Sequence, residues 1–141
     1  TSTGPDRLRR QIGEADAVLS GTPNCHDSYS GTPKSTLDCC SLDESSGTTV
    51  GVLEAAAGAG PWSARVHLRT VSRTLRAWTR PKAGKVTDSQ SLIADDGILY
   101  GQLRQRLRRL GRKLAGYANL ARYPGLTETA AAATARGEAC D

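Results

Sequence analysis

Phenylalanine and methionine are absent from this chain, and it has no run of 18 or more apolar residues. The missing run excludes a membrane-spanning helix, which needs about 20 such residues. The missing phenylalanine belongs to a wider shortage. Fifteen Leu, three Ile and six Val in 141 residues fall under the roughly 20% share of Leu, Ile, Val and Phe below which a core becomes hard to assemble. Nineteen alanines offset part of this, so a small ordered core with long irregular segments is expected.

Aromatic residues make up 4% of the chain, and Trp62, Trp78 and the four tyrosines do not interleave with basic residues as a base-stacking platform would. No zinc-finger or RNP-like pattern occurs. His26 and His67 are the only histidines, and no GxSxG, HExxH, Walker-type or dinucleotide-binding fingerprint surrounds them or any other residue. An enzyme is therefore not expected, and neither is a cofactor. The sequence begins without Met and without a signal peptide, which reads as a mature, processed or excised product and is compatible with export.

What the chain does have is a lopsided charge. Residues 1 to 60 hold four basic and eight acidic side chains, whereas residues 61 to 141 hold fifteen and six. The cationic half is organised on two stripes. Leu103, Leu107, Leu110, Leu114, Tyr117 and Ala121 recur at four and three, which predicts a helix within residues 98 to 123 with Arg104, Arg106, Arg108, Arg109, Arg112 and Lys113 on its other faces. Asp95 and Asp96 suit its start, and Arg122 with Pro124-Gly125 its end. Ala64, Leu68, Val71, Leu75 and Trp78 repeat the spacing over residues 62 to 80, beside Arg65, Arg69, Arg73, Arg76 and Arg80.

Elsewhere the signals are weaker. Pro5 and Asp6 open a predicted helix over residues 5 to 20, carried by Leu8, Ile12, Ala15 and Leu19. Residues 20 to 48 are rich in Ser, Gly, Thr and Pro and read as one long irregular loop. Thr49 to Ala57 suits a short helix, although Val50 and Val52 also suit a strand. Residues 81 to 91 read as a polar connection, and Thr127 is placed to cap an alanine-rich helix from Glu128 to Ala135.

Four cysteines in a small, core-poor chain predict a disulfide frame. Adjacent Cys39 and Cys40 are poorly placed to bond each other. The expected bridges join Cys25 to one of them and Cys140 to the other, stapling the loop with about 2–4 kcal/mol. The alternatives are four free thiols in a reducing compartment, or a metal site from Cys25, His26, Cys39 and Cys40, whose spacing lacks the paired CxxC form.

The summed reading is all-α: a single domain over residues 1 to 141, built as a small bundle of three to five helices with a long disulfide-stapled loop. Cys40-Ser41-Leu42-Asp43-Glu44, Val52 to Gly58 and Gly137-Glu138-Ala139-Cys140 resemble pieces of secreted helical cytokines. They cover little of the chain, and the cysteine spacing follows no one family, so the likeness is one of overall character. The function expected from these features is that of a secreted or exported, non-enzymatic, cytokine-like binding protein. It would dock a receptor or other acidic protein surface through its two arginine stripes. The same faces suit RNA or a heparin-like polyanion, as in an intracellular nucleic-acid-binding subunit, or peripheral contact with an anionic membrane.

Overall fold

Thr3 stands just ahead of helix α1 (Gly4–Glu14) and forms a reciprocal cap with Asp6: the Thr3 hydroxyl accepts the Asp6 N–H (3.4 Å), and the Asp6 carboxylate accepts the Thr3 N–H (3.2 Å). The computed structural model describes residues 3–58, 62–94, 97–98 and 101–118. The spacing that predicts a helix to residue 20 stops having that effect at Ala15, whose backbone is extended (φ −80°, ψ 133°). Strand β1 (Ala17–Cys25) begins two residues later.

Tertiary pairing decides that switch. β1 runs parallel to β3 (Thr49–Ala55), in register from Ala17 opposite Thr49 to Pro23 opposite Ala55. Val18 packs against the core formed by Val50, Val52 and Leu68. β-Branched Thr49, Val50 and Val52 suit this pleated, enclosed position. The strand alternative for residues 49–57 is the one realised.

The segment expected to be a long loop is built into short elements. A two-residue turn at His26 and Asp27, with φ of 50° and 61°, folds β1 back onto β2 (Ser28–Tyr29). Left-handed backbone at both central positions is the hairpin turn whose twist matches its strands. Pro33 then sits in the first turn of α2 (Gly31–Asp38), where its missing N–H is no loss, and α3 (Leu42–Ser45) opens on a Ser41–Glu44 capping box. Cys25, Cys39 and Cys40 are free thiols, so the disulfide frame is not formed among the described residues. Cys140 lies outside them.

Beyond β3 come α4 (Ser63–Thr74), β4 (Trp78–Thr79), β5 (Gly84–Val86), α5 (Ser89–Leu92), the small β6–β7 pair (Ile93–Ala94, Gly97–Ile98) and α6 (Gly101–Ala118). The main sheet has the order β2-β1-β3-β4, with β5 also on β3, and every pairing in it is parallel except β1 with β2. Polar residues 81 to 91 therefore hold an edge strand and a short helix rather than a plain connection.

Both amphipathic helices form, but the first ends at Thr74: Arg76 turns left-handed (φ 56°), and Trp78 and Thr79, expected on the same helix, pair with β3 as β4, so the two helices cover the sheet instead of packing as a bundle. Leu68 of α4 is fully buried against Val50 and Val52 on one face of the sheet, a burial that contributes roughly 1.5–3 kcal/mol. Leu110 and Leu114 of α6 rest on Gly84 and Gly51: a Cβ at Gly51 would lie 3.1 Å from Leu114 Cδ2, and one at Gly84 2.6 Å from both Leu110 Cδ2 and Leu53 Cδ1. Glycine at both positions lets α6 lie close to the strands. The molecule is thus a three-layer α/β sandwich around a mostly parallel sheet, not an all-α bundle. The predicted caps and stops at Asp95, Asp96, Arg122, Pro124 and Gly125, and the helix beyond Thr127, fall outside the described residues.

Candidate functional site

The four mutually parallel strands have their carboxyl ends on one side of the sheet, and that side carries the most deeply buried carboxylate among the described residues. Glu54 is fully buried one residue before the end of β3. Its Oε1 accepts the Asn24 side-chain amide at 2.6 Å, and its Oε2 accepts the Arg65 backbone N–H at 3.1 Å. The second bond caps α4, whose own N-cap residue, Trp62, has no side-chain acceptor to offer. One carboxylate therefore ties the end of β1, the end of β3 and the start of α4 together.

The hairpin above it is fixed from both sides. Buried Thr22 uses its hydroxyl twice, donating to the Pro23 carbonyl (2.8 Å) and accepting the Ser30 N–H (3.0 Å). Ser28 Oγ and His67 Nδ1 share a 2.9 Å hydrogen bond, while the Tyr29 ring meets His67 edge-on with centroids 6.2 Å apart. Asp27 donates its N–H to Asn24 Oδ1 at 3.1 Å. Cys25, His26 and Asp27 are left exposed at the tip.

Beside the hairpin, one residue past the pairing of Pro23 with Ala55, the chain leaves β3 as Ala56-Ala57-Gly58. It is held by its backbone: the Ala56 N–H donates to the Val86 carbonyl (2.9 Å), and the Ala56 carbonyl accepts the Ser89 N–H (3.1 Å). No side chain there is larger than a methyl group. The carboxyl end of a parallel sheet is where an open α/β fold receives its ligands.

Comparison with known proteins places the chain in a family. The model of the NADPH-dependent FMN reductase family matches residues 2–90, which take in every residue of the turn and the shelf. The chain belongs to this family. An FMN-dependent NADPH-azoreductase of Staphylococcus haemolyticus is 30% identical over 122 residues, covering 84% of this chain and 65% of that protein. The corresponding azoreductase of Staphylococcus saprophyticus is 33% identical over 105 residues, covering 71% and 56%. The chain thus spans between about half and two thirds of these relatives. Among solved structures, an oxidoreductase from Corynebacterium diphtheriae superposes with a TM-score of 0.63 at 21% identity, covering 81% of this chain and 61% of that one. A flavodiiron core from Synechocystis gives 0.58 at 14%, covering 85% and 27%. These two carry the fold alone.

Membership of the FMN reductase family overturns the expectation of a non-enzymatic binding protein and, with it, the receptor, heparin-like, RNA and membrane partners inferred from charge. Export loses its support too, because it rested on a cystine frame and the described cysteines are free thiols. No helix among the described residues is long and apolar enough to cross a membrane.

The arginines singled out by sequence divide into two groups. Arg65, Arg69, Arg80, Arg106, Arg109 and Lys113 line one cleft of about 550 Å³ where α4, the β4–β5 edge and α6 meet. Arg73, Arg76, Arg104, Arg108 and Arg112 are exposed outside it. Burial, together with the charges of Arg65 and Arg73, lowers the Arg69 pKa from its ordinary value. Sequence reasoning missed Asn24, Glu54, Ser28 and the alanine shelf. The signal that could have found them is the alternation of short β-rich runs, Ala17-Val18-Leu19 and Thr49 to Leu53, with turns and helices, which marks a parallel sheet.

Proposed function

We propose that the chain forms the ring-binding part of an FMN-dependent oxidoreductase, with the flavin ring between the Asn24–Ser28 turn and the Ala56–Gly58 shelf. The observation that carries this reading is the buried Glu54 bridge, which holds turn, shelf strand and α4 as one rigid frame. The residues present fit a flat ring. Methyl-sized side chains leave backbone amides within reach, and the hairpin tip supplies an exposed wall. Bound FMN supplies two-electron chemistry between a reduced nicotinamide dinucleotide and an acceptor, an azo compound being the class that the relatives' azoreductase names suggest.

The protein's own contribution is placement. Asn24 and Arg65 fix the Glu54 carboxylate, Thr22 fixes the Ser30 amide, and His67 fixes Ser28, so the wall against the ring is set before any ligand arrives. The test is to titrate the full chain with FMN and follow NADPH oxidation in the presence of an azo dye. Turnover that depends on FMN and is lost in Asn24→Ala supports the reading. FMN binding that is indifferent to Asn24→Ala, or no binding, rejects it.

A further inference from the structure

The arginine cleft has no part in holding the ring, yet its composition is extreme. Among the described residues, eight cationic side chains line it, the six named above together with Lys82 and Lys85, and no acidic one does. The ion pairs among the described residues, Arg9 with Asp6 and Glu44 and Lys34 with Asp38, use none of the eight. Two guanidiniums are also partly withdrawn from water. Arg69 donates Nη2 to the carbonyls of Arg80 (2.7 Å) and Pro81, and Arg80 lies 4.4 Å over the Tyr117 ring. Arg69 Nε and Arg80 Nε and Nη1 are buried with no hydrogen-bond acceptor among the described residues. Like charges gathered in a cavity and short of acceptors raise the energy of the empty site, and a multiply charged anion relieves it.

Position narrows the anion. Lys85 is the register partner of Glu54, whose carboxylate also holds the Arg65 N–H, so one end of the cleft adjoins the carboxyl-end turns. Arg80 donates its N–H to the Val50 carbonyl, so the other end lies toward the amino end of β3. A ligand following this path has its uncharged end at the ring site and several phosphates along the sheet edge. The volume is in the range of small-molecule sites, roughly 300–1,000 Å³.

Resting on the flavin reading above, we infer that this edge cleft binds the phosphate-bearing adenylate half of the nicotinamide dinucleotide, including the 2′-phosphate that distinguishes NADPH from NADH. Arg and Lys are the side chains suited to such groups, Arg through its planar fork.

The probe is 2′,5′-ADP, compared with 5′-ADP, at about 0.15 M salt, where weak surface attraction is largely screened. Binding is read by calorimetry and by Trp62 fluorescence, since Arg65 and Lys85 lie 5.8 and 5.2 Å from that ring. The cleft variant is Lys82→Glu with Arg109→Glu. The charge-matched control is Arg73→Glu with Arg112→Glu, all four side chains being exposed. The expected result is that the cleft variant loses tenfold or more in affinity for 2′,5′-ADP, while the control stays within about threefold and both keep the wild-type circular dichroism. With FMN present, KM for NADPH rises and the affinity for FMN does not change. Selective loss of 2′,5′-ADP binding in a chain that does not bind FMN would sustain the cleft and remove only the flavin reading. Equal weakening in both variants, no preference for 2′,5′-ADP over 5′-ADP, or FMN binding without any 2′,5′-ADP binding would overturn the inference.

Discussion

The carboxylate of Glu54 accepts a 2.6 Å hydrogen bond from the side chain of Asn24, thirty residues away in sequence, and does so in a fully buried position. Its other oxygen takes the Arg65 N–H. Glu54→Gln keeps the shape but puts an amide donor where an acceptor is needed. An unsatisfied group of this kind costs about 1–3 kcal/mol, so Tm should fall by roughly 3–10 °C for a domain of this size. Thermal unfolding followed by circular dichroism checks it, and an unchanged Tm would mean that the bridge is not formed in solution.

Gly84 and Leu110 should be energetically coupled. A methyl group at Gly84 would come within 2.6 Å of Leu110 Cδ2 and Leu53 Cδ1. Gly84→Ala is therefore expected to destabilise by about 1–3 kcal/mol through overpacking, and shortening Leu110 should give part of that back. A double-mutant cycle measures the effect. Coupling of at least about 0.5 kcal/mol is expected for residues in contact, whereas strict additivity would mean that α6 does not rest on this strand.

The thiols should react in an order set by exposure. Cys25 is exposed, Cys39 and Cys40 are partly covered, and burial, with the neighbouring Glu44 charge, raises the Cys40 pKa. Alkylation without reductant, mapped by peptide mass, should label Cys25 first and Cys40 last. A requirement for reductant before Cys25 reacts would restore the disulfide frame.

Acid should loosen the α1–α3 corner. Hydrogen bonds from Thr3 hold the Asp6 carboxyl below its ordinary value, and hydrogen bonds from Ser41, with Arg9 close by, do the same for Glu44. Because both folded-state values are depressed, the stability these groups contribute is complete above their unfolded values, near about 4–4.5. It is lost as the pH falls through the lower folded values. Amide hydrogen exchange should show residues 3–14 and 41–46 losing protection below about pH 4 before β3 does. Simultaneous loss everywhere would contradict this.

The basic helices were legible because their periodicity is local. Leu68 and Val71 in α4, and Leu103, Leu107, Leu110 and Leu114 in α6, sit at the spacing a helix needs whatever they pack against. What lies between them was not legible from spacing. Leu19 continues the four-and-three pattern of Leu8, Ile12 and Ala15, and only pairing with β3 makes its segment a strand. In the segment from residue 20 to residue 48, caps and turn residues outnumber apolar ones, so two short helices and a hairpin read as one loop. The site was hidden for a related reason. Glu54 looks like an ordinary surface glutamate until Asn24 and Arg65 are brought to it. The spacing finds the arginines but sets them on two neighbouring helices of a bundle, whereas the sheet edge gathers five of them, with Lys113, into one cleft.

The central claim, that a flat ring is received between the Asn24–Ser28 turn and the Ala56–Gly58 shelf, is tested most directly with riboflavin, which has the ring and no charged group to be drawn elsewhere on a basic surface. In 15N-resolved NMR spectra of the full chain, adding riboflavin should shift the amides of residues 24–28 and 56–58 and leave those of residues 106–113 in place. Shifts confined to residues 106–113, or none at all, would contradict the account.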